Sequence, residues 1–321
     1  MAPVIGYAVV LGEALIDLIE SPADDGQTVF RPMVGGAPLN VAAGITRLGA
    51  SAQLVTSIGT DALGQRIWNL LADLGVGTRA CVRVDVPTTL ALTSLRDAVP
   101  EFSFYNAAPT HASPAHGDSP SFAQLDPSDL DRDLVAQSST LYCGSIALMY
   151  PRARELARAA WATPGPMRVL DPNVRPRLLR DPEGLRRTIE EFASTADLVK
   201  LSEPDATTLF GLEPAAVARH LRAVGARAVV VTLGPDGAFA DTDAGPITVV
   251  APPIRAVDTT GAGDACVAAL MYGLLSRGWP AGAPAWAELV GFATVAASLA
   301  CTVPGGATAM PALDEIRAHR V

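Results

Sequence analysis

Residues 258–264 read Asp258-Thr259-Thr260-Gly261-Ala262-Gly263-Asp264, and the stretch that follows, ACVAALMYGLLSRG, is apolar enough to form a buried helix. Small residues ahead of a helix leave its first backbone N–H groups bare and converging on one spot. The helix dipole adds partial positive charge there, so the spot stabilises a phosphate or a developing negative charge. Asp264 falls in the first turn, beside whatever anion is held. A carboxylate so placed takes the proton of a hydroxyl as that hydroxyl attacks phosphorus. A Gly-x-Gly turn alone is equally well read as the cap of a core helix, but the seven-residue string is far more specific.

A second glycine-rich stretch lies some 220 residues earlier: Gly35-Gly36-Ala37-Pro38-Leu39-Asn40-Val41-Ala42, followed by Leu48-Gly49 and Gly59-Thr60-Asp61-Ala62-Leu63-Gly64. Together, in this order and spacing, the two stretches resemble the N- and C-terminal signatures of the ribokinase-like (PfkB) carbohydrate kinases, and the resemblance spans essentially the whole chain. It implies an α/β fold, a three-layer α/β/α sandwich with a mostly parallel central sheet and a small inserted β-lid. It also implies ATP-dependent phosphorylation of a sugar hydroxyl, with Asp264 as general base and the amides of Gly261, Ala262 and Gly263 as the anion hole.

At 321 residues the chain can bury a sizeable core, as one large α/β domain or two small ones. Apolar residues make up 49% and charged residues 18%, which excludes disorder for the bulk of the chain. A net charge of −9 argues against nucleic acid or an anionic membrane as partner. The N-terminus lacks a basic signal region, and Glu13 and Asp17 interrupt its apolar run, so a cytoplasmic protein is expected. The uncharged run at 289–304 is rich in Ala, Ser and Thr and reads as a buried helix. Cys81, Cys143, Cys266 and Cys301 are scattered without a CxxC pair, which suits free thiols and argues against zinc. Lys200 is the only lysine, beside 23 arginines, so no Walker-type lysine loop exists, an absence that an anion hole of backbone amides fits.

Strands are expected at residues 4–11, 52–58, 140–143, 168–170, 198–201 and 228–232, and helices at 38–48, 62–74, 152–161, 183–194 and 213–224. Such alternation implies a parallel sheet covered on both faces. Residues 15–34 and about 82–110 carry short alternating segments without a helical period. They read as antiparallel strands, the lid implied by the resemblance, inserted into a single domain spanning 1–321. Residues 110–126 read as irregular loop.

The resemblance distributes further roles. Asp17, Gly35, Gly36 and Asn40 correspond to the sugar-binding set, joined by Tyr105 and Asn106 of the lid and by Arg175 of Asp171-Pro172-Asn173-Val174-Arg175. For Asn40, helix capping is an alternative reading. Thr232, Gly234 and Gly237 resemble the nucleotide-binding strand and turn, although Pro235-Asp236-Gly237 equally suits a plain hairpin. Thr294 stands where a side chain flanks adenine. Lys200-Leu201-Ser202-Glu203-Pro204-Asp205 aligns with the nucleotide and Mg²⁺ motif, Ser202 and Asp205 replacing its Asn and Glu, and Glu203 and Asp205 are the carboxylates for metal-bound water. Asp258 and Thr260, with carbonyls near Ala300, Val303 and Gly305, align with the K⁺ site of some members; Ala309 removes a frequent side-chain oxygen.

The D-x-N-x-R string and the GGAP-x-N form resemble the fructokinase and 2-keto-3-deoxygluconate kinase branch. Asn106 replaces the lid arginine that a keto acid's carboxylate calls for, which favours a neutral sugar, fructose first. A keto-acid kinase, a nucleoside kinase of the same fold and a catalytically weak sugar sensor stay open as alternatives. A dinucleotide oxidoreductase fits poorly, because the glycines come late in the chain rather than after the first strand. The small sheet's edges permit a homodimer through the lid.

Overall fold

The computed structural model describes residues 6–22, 28–96, 99–105 and 119–319. The chain runs β1 (Tyr7–Leu11), β2 (Leu15–Pro22), β3 (Thr28–Gly35), α1 (Ala37–Arg47), β4 (Ser51–Gly59), α2 (Ala62–Leu74), β5 (Gly77–Val84), β6 (Leu90–Arg96) and β7 (Val99–Tyr105). It continues through α3 (Arg132–Ala136), β8 (Thr140–Gly144), α4 (Pro151–Trp161), β9 (Met167–Asp171), α5 (Pro182–Ala193), β10 (Leu198–Ser202), α6 (Glu203–Phe210) and α7 (Pro214–Val224). The last elements are β11 (Ala228–Thr232), β12 (Ala238–Thr242), β13 (Gly245–Val249), α8 (Ala262–Arg277), α9 (Ala283–Ala300) and α10 (Leu313–Ala318).

Nine strands form the main sheet in the order β13-β12-β11-β10-β9-β8-β1-β4-β5. All neighbours from β11 to β5 are parallel, and β12 pairs antiparallel with both β11 and β13. Consecutive residues of each inner strand serve opposite faces, as the pleat requires. Ala8 and Val10 of β1 join a core with α1, α2, α8 and α9. Val9 and Leu11 join a second core with α3 to α7. The result is the three-layer sandwich the sequence implied.

The excursion forms a separate four-stranded sheet, β3-β2-β6-β7. Two expectations need correction. Residues 82–84 belong to β5 at the edge of the main sheet, not to the small sheet. A half-exposed edge strand carries the same alternating pattern as an inserted strand, so periodicity could not separate them. The small sheet is also not wholly antiparallel, because β2 and β6 pair in parallel. These strands are joined through the body of the protein rather than by a hairpin, so nothing forces them to run opposite. Asn106 and the rest of 106–118 lie outside the described residues.

Sequence reading located most main-sheet elements within a residue or two but passed over α6 and the β12–β13 hairpin. The α6 start is fixed by a reciprocal cap. The Ser202 hydroxyl accepts from the Asp205 N–H (3.2 Å), and Asp205 Oδ2 accepts from the Ser202 N–H (2.9 Å). The uncharged run at 289–304 begins inside α9, half of which is buried against α8 and the sheet. From β1 the chain passes to β4 and β5 on one side, and from β8 to β13 on the other, so the order reverses between β1 and β8. Ligands of open α/β sheets bind at such a point, outside the carboxyl ends of the strands.

Candidate active site

The carboxyl ends of β1, β8, β9, β10 and β11 meet the N-terminus of α8 on this reversal. Gly261 is the N-cap of α8, with φ of 81°, and no side chain caps the helix. That left-handed backbone suits glycine, and it turns the chain so that the following amides begin the helix. Asp264, the first turn's only acidic residue, is buried. Its Oδ2 accepts from Asn40 Nδ2 (2.8 Å) and its Oδ1 from Asn173 Nδ2 (3.3 Å). Burial raises its pKa, while Asn40, Arg175 and Lys200 oppose the rise. A carboxylate made more basic and aimed by two amide donors is equipped to accept a proton.

The sugar-site candidates gather around it. Gly36, with φ of 106°, caps α1 so closely to the body that a Cβ there would lie 2.6 Å from the Glu13 carbonyl oxygen. Gly35 faces Asp17; a Cβ on it would fall 1.9 Å from Asp17 Oδ2. Asp17 titrates at about 7, raised by burial, lowered by Arg175 and raised further by Asp264. Arg175 Nη1 donates to Asn173 Oδ1 (2.6 Å) and to the Asn173 and Val174 carbonyls, bracing the residue that holds Asp264. Asn173 adopts φ of 40°, a conformation non-glycine residues rarely hold without such support. Tyr105 is exposed at the end of β7.

Sequence reading missed Glu13 as a site residue. Its carboxylate accepts from the Ala37 N–H (3.2 Å) and the Ala147 N–H (3.3 Å), tying the β1 end to the α1 start and to the turn after β8. Burial pushes it up to about 7. The available signal was an acidic residue one glycine beyond an apolar strand.

The nucleotide-side candidates surround a second space. A largely apolar cavity of about 440 Å³ is lined by Thr232, Gly234, Gly237 and Thr294 and by Ala262 and Gly263 at the start of α8. The hairpin reading of the Pro-Asp-Gly turn is borne out, and the turn also borders the cavity. The Leu233 N–H donates to the Gly237 carbonyl (2.8 Å), closing the hairpin into β12, and the same turn walls the cavity. Gly237 has φ of 102°, and a Cβ there would lie 2.0 Å from the Val249 carbonyl oxygen. Lys200 and Ser202 do not line this cavity. Lys200 is buried behind Gly263, and Ser202 serves the α6 cap.

Asp205 is buried, and both its oxygens are committed: Oδ1 accepts from the Val174 N–H (2.8 Å), and Oδ2 from Ser202. Glu203 is exposed at the start of α6. Asp258 stitches two loops together, accepting from the Thr260 N–H (2.9 Å) and the Gly305 N–H (3.0 Å). Its own N–H and that of Val257 donate to the Cys301 carbonyl. The structure thus brings Asp258, Thr260 and the loop from Ala300 through Val303 to Gly305 into one place.

Comparison with known proteins agrees with this arrangement. Residues 6–313 match the family model described as pfkB family carbohydrate kinase. The chain belongs to the PfkB family. It is 32% identical over 315 residues to a fructokinase of Klebsiella pneumoniae, covering 96% of this chain and 97% of that one. It is 29% identical to a putative sugar kinase of Pyrococcus horikoshii, covering 99% and 96%. Among solved structures, a fructokinase of Vibrio cholerae with fructose, ADP and calcium superposes with a TM-score of 0.84 at 28% identity, covering 98% and 99%. A fructokinase of Xylella fastidiosa with bound ATP also gives 0.84, at 26% identity and 97% coverage of both chains. The PfkB chain is therefore a carbohydrate kinase, a phosphotransferase with an alcohol group as acceptor.

Proposed function

We propose that this PfkB kinase transfers the γ-phosphoryl of ATP to a primary hydroxyl of a small neutral sugar, fructose first. The observation that carries the reading is Asp264, held by Asn40 and Asn173 at the bare N-terminus of α8, which lines the apolar cavity. The sugar hydroxyl sits against Asp264, which takes its proton during attack. The amides at Gly261, Ala262 and Gly263 meet charge developing on the transferred group. Asp17 and Asn40 accept and donate to the sugar's other hydroxyls, between Gly35 and Gly36, with Tyr105 near the rim.

The cavity fits a nucleotide: its walls are apolar with glycines at 234 and 237, and a helix N-terminus lines it. Thr232 and Thr294 face the base and ribose. Bound there, Mg-ATP supplies the phosphoryl group. For the metal's water shell, Asp205 does not fit, because protein donors already occupy both its oxygens. Glu203 is left as the carboxylate for that task. Asp258, Thr260 and the carbonyls at Ala300, Val303 and Gly305 fit a K⁺ site on the loop they share.

A neutral sugar is favoured over a keto acid by Arg175, the cation nearest the sugar pocket. Its Nη1 serves as a brace on Asn173 and Val174 rather than as a fork for an incoming carboxylate. The fructokinase relatives point the same way. The test is ADP release with Mg-ATP against fructose, ribose, tagatose, 2-keto-3-deoxygluconate, adenosine and inosine, with and without K⁺. Fructose as the best substrate supports the reading. Preference for the keto acid would move Arg175 from brace to ligand, and silence across the panel would overturn the sugar-kinase assignment of this site.

A further inference from the structure

Lys200 lies in the middle of β10 with 2% of its surface exposed. Among the described residues its ammonium has one partner, Asp171 Oδ2 at 3.2 Å, at the end of β9 and fully buried. A Cβ on Gly263 would come within 2.9 Å of Lys200 Nζ, so the ammonium stands directly behind the proposed anion hole. Among the described residues Asp171 Oδ1 and the Tyr142 hydroxyl, both buried, have no hydrogen-bond partner, and Lys200 is the one donor to the Asp171 side chain.

We propose that the Lys200–Asp171 pair is a positioning device: the ammonium backs Gly263 and supplies the nearby positive charge against which the Asp264 carboxylate is held. The inference rests on the reading of Asp264 as base. A buried ammonium is expensive unless it is paired, and the chain spends its single lysine here. The charge balance explains why. Carboxylates surround Asp264 from several elements: Glu13 after β1, Asp17 on β2 and Asp171 on β9, with the Tyr142 hydroxyl on β8. Against them stand two cations, Arg175 and Lys200, both of which lower Asp264. Arg175 acts from the sugar side, and Lys200 acts from beneath. Burial alone would lower Lys200; Asp171, then Cys266, Asp205 and Asp264, outweigh it and hold the ammonium charged.

The experiment compares Lys200→Gln, Asp171→Asn and the double variant with the native protein by two readouts. The first is carboxyl ¹³C titration of Asp264 in ligand-free protein labelled at aspartate, assigned with Asp264→Asn. The second is the pH profile of kcat/KM for the best sugar. Loss of the Lys200 charge is expected to move the Asp264 titration and the acid limb upward by about one pH unit. Activity then falls about tenfold more near pH 6 than near pH 8, with sugar KM little changed. Asp171→Asn shifts both downward. By the charge role the two single shifts are opposite in sign and largely cancel in the double variant, which keeps a neutral hydrogen-bonded pair, whereas a packing role predicts no opposed shifts in the single variants. An unmoved Asp264 titration in Lys200→Gln, or shifts of the same sign in the two single variants, overturns the proposal. The ligand-free titration decides even if no sugar is phosphorylated, an outcome that would sink the kinase reading separately.

Discussion

The two halves of the site are built on different principles. The proposed acceptor half is a knot of side chains: Asp264, Asn40, Asn173, Arg175 and Glu13, buried or half-buried and bonded to one another or to backbone, with Asp17 facing Gly35 beside them. The donor half is mainly backbone and apolar surface, a cavity bounded by glycines and a hairpin turn. A sugar presents many hydroxyls in fixed directions, which only oriented polar groups can discriminate. A nucleotide presents a flat ring and phosphates, which a smooth wall and bare amides accommodate. One half therefore depends on particular functional groups, and the other on the absence of side chains.

The sharpest way to break this contrast is Asp264→Asn. It should lower kcat by about 10²–10⁴-fold, the usual worth of a general base, while sugar and nucleotide affinities persist. Steady-state kinetics within a few-fold of native would remove Asp264 from the role. The next effect is on stability. Glu13 titrates at about 7 in the folded chain, far above the ordinary carboxylate range of the unfolded one. Between those values the folded state binds more protons, so ligand-free stability is highest on the acid side and falls as pH rises through 7. Glu13→Gln should flatten that fall by on the order of 3 kcal/mol, read from denaturant unfolding at about pH 5 and pH 8. An unchanged slope would mean that Glu13 is not the titrating group.

Asp17→Ala should raise sugar KM by roughly 10–100-fold, from the loss of charge-assisted hydrogen bonds, and leave nucleotide KM alone. On the donor side, Gly237→Ala should do the reverse. Strain at its positive φ and the clash with Val249 cost about 1–3 kcal/mol and raise nucleotide KM with sugar KM preserved. If either substitution disturbed both constants equally, the division into two halves would fail. The smallest effect marks the border: Ser202→Ala should cost about 1 kcal/mol of stability through the α6 cap, with both KM values near native.

The same contrast governed what could be read from sequence. The proposed donor half and anion hole rest on contiguous strings whose glycines carry their own message, and the structure brings those strings to one cavity. The alternation of strands and helices was legible, because buried parallel strands and amphipathic helices have distinct periods. Glu13 and the Asp171–Lys200 pair were not legible as working groups. Their partners come from other strands, and only the parallel register of β9 with β10 places Asp171 beside Lys200. The capping role of Ser202 and Asp205 was hidden for another reason: their pattern fits both a helix start and a metal motif. The edge strand β5 and the parallel pairing of β2 with β6 depend on neighbours that local pattern does not encode.

The bond between Asn40 and Asp264 joins residues 224 apart in the chain. It is set by α1 and α8 lying so close that a Cβ on Gly44 would come within 2.6 Å of Ala268 Cβ. During synthesis, α1 therefore emerges long before the helix that completes it. Its buried face, Leu39, Val41 and Ile45 included, must wait without its final cover. Closing so long a loop costs about 5 kcal/mol of chain entropy before the contact returns anything. Chains halted before α8 thus carry every strand of the sheet yet leave one of its flanks without the helix that covers it, and they lack Asp264. In this protein competence waits for α8, after the sheet itself has been made.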